Sequence, residues 1–324
     1  MVRHADFSPH GSVGPEGPMD EKHANPTPPA PPGTPSSTNH AAAAGPGRRT
    51  VPEVVASKGV RRLVMVTAVD EPSARWCDRA GVDLILVGDS LAMAALGRPD
   101  TLSVTLADMI HHTRAVVAGA GRALVIADMP FGSYQISVGE AVRSACRLVA
   151  QGGAQAVKLE GHRPQEVAAI AAAGIPVVAH LGLTPQSLHR LGGYRVQARE
   201  AEAALALVRH ARELEHAGAF LLVLEAVPAE VARAATAAVG IPTIGIGAGP
   251  HCDGQVLVFA DLLGLSDDPV PRFVRRYESL GQRITRAVAA FASDVRSGAY
   301  PAPAECYPTP EGLAEALASR TEEP

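Results

Sequence analysis

Five short apolar runs in this 324-residue chain end in residues that can move a proton or hold a cation. Leu84-Ile85-Leu86-Val87-Gly88 leads into Asp89-Ser90, and Ala123-Leu124-Val125-Ile126-Ala127 leads into Asp128. Ala156-Val157 leads into Lys158-Leu159-Glu160, Val177-Val178-Ala179 into His180, and Leu221-Leu222-Val223-Leu224 into Glu225. Brought to one place, Asp89, Asp128 and Glu160 repel one another and raise each other's pKa unless a cation sits among them. An all-oxygen donor set with no neighbouring cysteine selects a hard ion, Mg2+. One aspartate at a strand end is commonly just a helix cap. Three acids together, with Lys158 two residues before Glu160, favour a metal site. Residues i and i+2 of a strand share a side, and a buried lysine outside a site is costly. Glu225 closes an apolar run, where partial desolvation would raise its pKa and suit a general base; an ion pair with an arginine is the alternative. His180 stays open between a structural and a supporting catalytic role.

The elements that must position these residues follow from the same runs. Apolar stretches of this length, bounded by turns and separated by helical patterns, read as buried parallel strands. Eight are expected, near 63–68, 83–88, 123–128, 155–160, 176–180, 220–225, 242–246 and 256–260. Helices are expected over 72–80, 105–118, 138–151, 164–173, 199–217 and 228–239, most closed by a glycine. A long helix over 274–297 and a short one over 310–319 follow. Alternation of this kind predicts an α/β fold. Chemistry-bearing residues on so many strand ends favour a (β/α)8 TIM barrel over an open doubly wound sheet. Gly245-Ile246-Gly247-Ala248-Gly249 lacks a full dinucleotide fingerprint and reads as a tight turn lining the pocket.

Composition limits the rest. Residues 1–50 are rich in Pro, Gly, Ser, Ala and His, lack apolar periodicity and read as a disordered tail. This stretch has no apolar segment of a secretory signal, and Glu16, Asp20 and Glu21 argue against an organelle transit peptide. Met19 is a second candidate start. Residues 51–307 are expected to form the catalytic barrel and 308–324 a C-terminal extension. The net charge of −4 and 4% aromatic content give no nucleic-acid footprint. No apolar run approaches the roughly 20 residues of a membrane span. Cys77, Cys146, Cys252 and Cys306 form no CxxC, which disfavours both disulfide scaffolding and zinc; a cytoplasmic setting is expected.

Seven motifs in order carry a resemblance: Leu86-Val-Gly-Asp-Ser-Leu91, Ala127-Asp-Met-Pro-Phe131, Val157-Lys-Leu-Glu-Gly161, His180-Leu-Gly-Leu-Thr-Pro-Gln186, Gly192-Gly-Tyr194, Leu222-Val-Leu-Glu225 and Ile244-Gly-Ile-Gly-Ala-Gly249. Over residues 50–307 the chain resembles the ketopantoate hydroxymethyltransferase family. The resemblance implies a (β/α)8 barrel, Mg2+, 5,10-methylenetetrahydrofolate as one-carbon donor, 3-methyl-2-oxobutanoate as acceptor and 2-dehydropantoate as product. It implies Asp89 and Asp128 as metal ligands, Glu160 as a further metal-site carboxylate, and Ser90 and Lys158 as substrate-binding, with Asp89 and Asp128 also beside the oxoacid. It implies Glu225 as proton acceptor, and homo-decamers of two five-membered rings. Two positions depart from the family pattern: Val69 stands where a tyrosine is usual, and Ala92 where a glycine is usual. The competing readings are another Mg2+-dependent oxoacid lyase or mutase on a similar barrel, and a catalytically silent ligand-binding barrel. Such lyases use a loop cysteine as acid, and Cys252 is the one cysteine here expected in a loop near a strand end. No proposed ligand or base is lost, as a silent barrel would show.

Overall fold

The computed structural model describes residues 47–266 and 269–319. Eight parallel strands close into a barrel in chain order: β1 Leu63–Thr67, β2 Leu84–Val87, β3 Leu124–Asp128, β4 Ala156–Glu160, β5 Val177–Gly182, β6 Ala219–Glu225, β7 Thr243–Ile246 and β8 Gly254–Leu257. The ring closes where Leu63–Val66 of β1 pairs with Gly254–Leu257 of β8. Helix α1 Val51–Val55 precedes β1, and α2 Glu71–Arg79 follows it. After β2 come α3 Leu91–Ala94 and α4 Leu106–Gly119, then α5 Val138–Ala150 after β3 and α6 Pro164–Ala172 after β4. The short α7 Leu188–Leu191 and the long α8 Ala201–His216 follow β5, and α9 Ala229–Ala238 follows β6. Beyond β8 lie α10 Phe259–Leu263, α11 Leu280–Ser297 and α12 Leu313–Ala318.

Strand alternation divides the core into two layers. Leu63, Met65, Leu84, Leu86, Leu124, Ile126, Ala156, Val178, Leu221, Val223, Ile244 and Val256 fill the barrel interior. Val66, Ile85, Val87, Val125, Ala127, Val157, Leu159, Ala179, Leu222 and Leu224 face the helices instead. Inward and outward residues alternate along each strand, as the period of two requires. Helix starts follow local chemistry. The Thr105 hydroxyl accepts from the Asp108 amide at 3.1 Å, and the Asp108 carboxylate accepts from the Thr105 amide at 3.0 Å, a reciprocal cap for α4. Asp70 caps α2, its carboxylate accepting from the Ser73 amide at 2.8 Å.

Three expectations change. The eighth strand is Gly254–Leu257, earlier than 256–260, because the chain turns into α10 at Phe259. The stretch 274–297 is helical only from Leu280, and the short helix spans Leu313–Ala318. No helix joins β7 to β8; residues 247–253 pass between them directly. The expected tail falls largely on residues 1–46, outside the described residues, as does 320–324 of the C-terminal extension.

Candidate active site

The inward columns of β3, β4, β5 and β6 each end in a charged or titratable group. Asp128 continues Leu124 and Ile126, and Lys158 and Glu160 continue Ala156. His180 continues Val178, and Glu225 continues Leu221 and Val223. Parity alone thus aims them into the mouth at the C-terminal ends of the strands. Asp89 arrives differently, in the turn after β2. Its backbone amide donates to Asp128 Oδ2 at 3.0 Å. Ser90 begins α3 without a side-chain capping bond. Asp89, Asp128, Lys158, Glu160 and His180 are all at most 5% exposed, so they meet away from bulk water.

Lys158 Nζ lies 2.7 Å from Asp128 Oδ1. His180 stands between two acids, Nδ1 3.6 Å from Glu160 Oε1 and Nε2 3.3 Å from Glu225 Oε2. Glu225 is held beside β5 by a close approach of backbones. Leu183 N donates to the Glu225 carbonyl at 2.8 Å. A side chain at Gly182, whose φ is +98°, would put Cβ 2.2 Å from that carbonyl oxygen, so only glycine fits there. The next residue, Ala226, has φ +45°. A non-glycine residue in that region stores strain of order 1–3 kcal/mol, a recurrent feature of functional turns.

Two residues outside the expected set organise the mouth. Gln186 donates from Nε2 to Asp89 Oδ2 at 2.8 Å and to the Met129 carbonyl at 2.9 Å. Its backbone amide donates to Glu160 Oε2 at 3.0 Å, and its Oε1 accepts from the Tyr134 hydroxyl at 2.6 Å. Tyr134 also accepts from the Glu160 amide at 3.1 Å. Gln186 ends the His180–Gln186 motif, so its signal was present in sequence; Tyr134, inside a loop, carried none. Both line a cavity of about 870 Å3 with Phe131, Gln135, Glu160 and Leu181, a volume suited to an organic ligand.

Burial is the largest influence on the acids, and their neighbours decide the outcome. Burial and the charges of Asp128 and Glu160 push the Asp89 pKa well up. Burial raises Asp128 too, against the pull of Lys158. Burial opposes ionisation of Glu160 as well, yet His180 and Lys158 hold it below the ordinary carboxylate value. Burial and the Lys158 charge resist protonation of His180, but Glu160 and Glu225 outweigh them and lift the ring to about 9. Lys158 is raised because Asp128, Glu160 and Asp89 together overcome its desolvation.

The donor set fits a hard cation. Asp128 Oδ1 is buried and faces the Lys158 ammonium, 2.7 Å away, and Gln186 is bonded to only one oxygen of Asp89. Two adjoining buried carboxylates leave negative charge that a divalent ion would neutralise. Glu160 is more occupied, with the Gln186 amide and the His180 ring on its two oxygens. The three carboxylates do not form a trio with ligand atoms all within 4.8 Å; among the described residues only His162, His210 and Glu213 do. Of the two departures, Val69 offers its carbonyl to His112 Nδ1 at 2.6 Å, and Ala92 is fully buried, its methyl packed in the core.

Comparison with known proteins bears on this geometry. A family description of ketopantoate hydroxymethyltransferases matches residues 48–303. A 3-methyl-2-oxobutanoate hydroxymethyltransferase of Syntrophobacter fumaroxidans is 52% identical over 275 residues, 84% of this chain and 96% of that protein. Solved structures share the fold at much lower identity. A 2,3-dimethylmalate lyase of the PEP mutase/isocitrate lyase superfamily is 18% identical with TM-score 0.51, covering 84% of this chain and 98% of that one. Phosphonopyruvate hydrolase in complex with oxalate and Mg2+ is 16% identical with TM-score 0.51, covering 84% and 95%.

Proposed function

The chain belongs to the ketopantoate hydroxymethyltransferase family, and from that premise we propose how its barrel mouth performs the family reaction. The enzyme transfers a one-carbon unit from 5,10-methylenetetrahydrofolate to 3-methyl-2-oxobutanoate. With one water consumed, the products are 2-dehydropantoate and tetrahydrofolate. The observation that carries this reading is the convergence of Asp89, Asp128, Lys158, Glu160, His180 and Glu225 at the barrel mouth. Asp89 and Asp128 are the residues to hold Mg2+, with Glu160 at the edge of that site. Bound there, Mg2+ would supply positive charge that favours loss of the oxoacid's C3 proton.

Glu225 is the proton acceptor. Its side chain is 18% exposed, which leaves it open to the substrate side, and Gly182 and Ala226 fix its backbone. His180 Nε2, 3.3 Å away, sets a largely protonated ring beside that carboxylate. Lys158 sets a cationic group where the substrate carboxylate and the developing enolate oxygen carry charge. Ser90, free of a capping role, is positioned to bond the oxoacid. Gln186 orients Asp89 and Glu160 together. The carbon that lost its proton then bonds to the donor's one-carbon unit: a C–C bond forms, both C–N bonds of the methylene bridge break, water supplies the new hydroxyl, and the folate nitrogens take up the C3 proton and the remaining proton of the water. The adjoining cavity is the space for the folate.

Residues 51–307 form the catalytic unit of this reading, and the residues before and after it are not needed for chemistry. Among the described residues no helix is long and apolar enough to cross a membrane, and we place the enzyme in the cytoplasm with small-molecule substrates. We further propose a homo-oligomer, the decamer of the family resemblance. Its support here is α11, none of whose residues is buried. The deciding experiment supplies purified protein with 3-methyl-2-oxobutanoate, methylenetetrahydrofolate and Mg2+, and measures 2-dehydropantoate by mass. Absence of product with folded protein would overturn the assignment.

A further inference from the structure

The turn after β4 and the outer face of α8 bring two imidazoles and a carboxylate together, apart from the carboxylates of the barrel mouth. His162 Nε2 lies 2.5 Å from Glu213 Oε2. The His162 and His210 rings stack with centroids 3.9 Å apart and planes 15° from parallel. One ligand atom from each of His162, His210 and Glu213 lies within 4.8 Å of the others. His210 and Glu213 stand three residues apart on α8 and so share a face. His162 is delivered from another element. Gly161, with φ +90°, turns the chain out of β4 and presents His162 to α8. His162 and His210 also line the cavity assigned to the folate, but no step of the proposed reaction uses the trio.

We propose that His162, His210 and Glu213 form a second metal site, for a borderline divalent transition ion of the Zn2+ class. Two imidazole nitrogens and one carboxylate oxygen, with water in the fourth position, make a familiar zinc donor set. Mg2+ prefers oxygen ligands, so the two sites sort ions by donor type. Burial and the neighbouring His162 hold the His210 ring below its ordinary pKa, leaving its lone pair available. Zn–N bonds of about 2.0–2.1 Å require the side chains to close from their present spacing. Partial exposure of His162 and Glu213 permits that rotation. Zinc replaces the His162–Glu213 contact, and any ring proton leaves to solvent. The opposing charge is Arg209, whose Nε lies 3.8 Å from Glu213 Oε1. It faces the other oxygen and leaves Oε2 to the metal. A filled site ties the β4–α6 turn, two residues past Glu160, to α8.

The test uses full-length protein stripped with chelator and then held in excess Mg2+ to occupy the carboxylate site. Zn2+ is titrated by calorimetry, and retained zinc per chain is counted after gel filtration. The comparison is with the His162→Gln/His210→Gln double variant and, separately, Glu213→Gln. Tail histidines and the four cysteines contribute equally to all three proteins, so the difference reports the site. Wild type is expected to retain one more Zn2+ per chain than the double variant. Its Co2+ form should show the intense visible bands of a four-coordinate site, and zinc should raise its melting temperature. Glu213→Gln should weaken zinc binding by more than about 10-fold, as loss of a supporting partner alone already can. Equal zinc content and equal thermal shifts across the three proteins would overturn the proposal.

Discussion

At the residue scale, the roles of the acids separate by what each touches. Asp128 meets Asp89 and Lys158, while Glu225 meets only His180 and the substrate side of the mouth. Asp128→Ala should therefore leave almost no turnover and a much weaker Mg2+ requirement, read as loss of Mg2+ binding by calorimetry. Wild-type turnover in excess chelator would remove the metal from the reaction. Glu225→Gln keeps the shape and deletes the basicity. It should lower turnover by about 10²–10⁴-fold, the usual share of a general base, with Mg2+ and oxoacid affinity nearly intact. Exchange of the C3 hydrogen of 3-methyl-2-oxobutanoate with deuterated water gives the direct measurement. If the variant exchanges like wild type, the base lies elsewhere and His180 is next. The six charged groups gathered at the mouth were legible in sequence because each lies at or just past the end of an apolar strand, and strand parity fixes the direction of all but Asp89. Gln186 lies within a sequence motif, but its role as a hub is not legible there, since its bonds to Asp89 and Glu160 depend on a loop folding back over three strands. The His162–His210–Glu213 trio was invisible for the same reason: its members meet only once α6 and α8 are placed.

At the element scale, the two ends of the barrel use acids in opposite ways. At the mouth acids crowd one another; at the base each is matched. Asp83 receives Arg49 and Arg61 at 2.9 Å each, and accepts from the Val64 amide at 2.9 Å. Asp253, just before β8, takes Lys58 at 2.8 Å and accepts from both the amide and the hydroxyl of Thr243, at 2.8 and 3.0 Å. It thereby joins the segment after α1 to β7 and β8 where no helix covers the crossing. Burial alone would raise the Asp253 pKa, but Lys58 and Thr243 hold it below the ordinary value. A folded-state pKa below the unfolded one adds stability above the unfolded value, lost as pH falls through the folded value. Asp253→Asn should cost about 1.5–3 kcal/mol near neutral pH, the range for hydrogen bonds to a charged group. Urea unfolding at neutral pH and near pH 3 checks this: the gap between variant and wild type should narrow in acid. A gap that persists there would mean that the carboxylate's charge is not what holds the clamp. Element order was legible from alternating apolar runs and glycine stops. The boundaries that shifted, at β8 and at the start of α11, lie where no covering helix enforces a period.

At the scale of the whole molecule, one surface remains to be matched. Along α11, Ile284, Val288, Phe291 and Val295 are each about half exposed or more. Their spacing of four, three and four residues makes a single apolar seam of the kind two helices share. The barrel offers a second bare surface: Val64 on the outer side of β1 is 49% exposed, next to the β7–β8 crossing that lacks a helix. A lone chain therefore leaves apolar area in water on both sides, and a second copy can cover both. Covering a half-exposed side chain of this size is worth roughly 1 kcal/mol, so four per chain in a symmetric assembly stabilise it by several. Ile284→Glu with Phe291→Glu places two charges in the seam and should shift the particle to a smaller species, with a lower melting temperature. Light scattering after gel filtration measures the mass. Deleting residues 1–46, which precede α1, serves as the control and should leave mass, melting temperature and turnover nearly unchanged. If the seam variant keeps the wild-type mass, α11 is not the contact between copies; if the deletion lowers it, the N-terminal segment makes that contact instead.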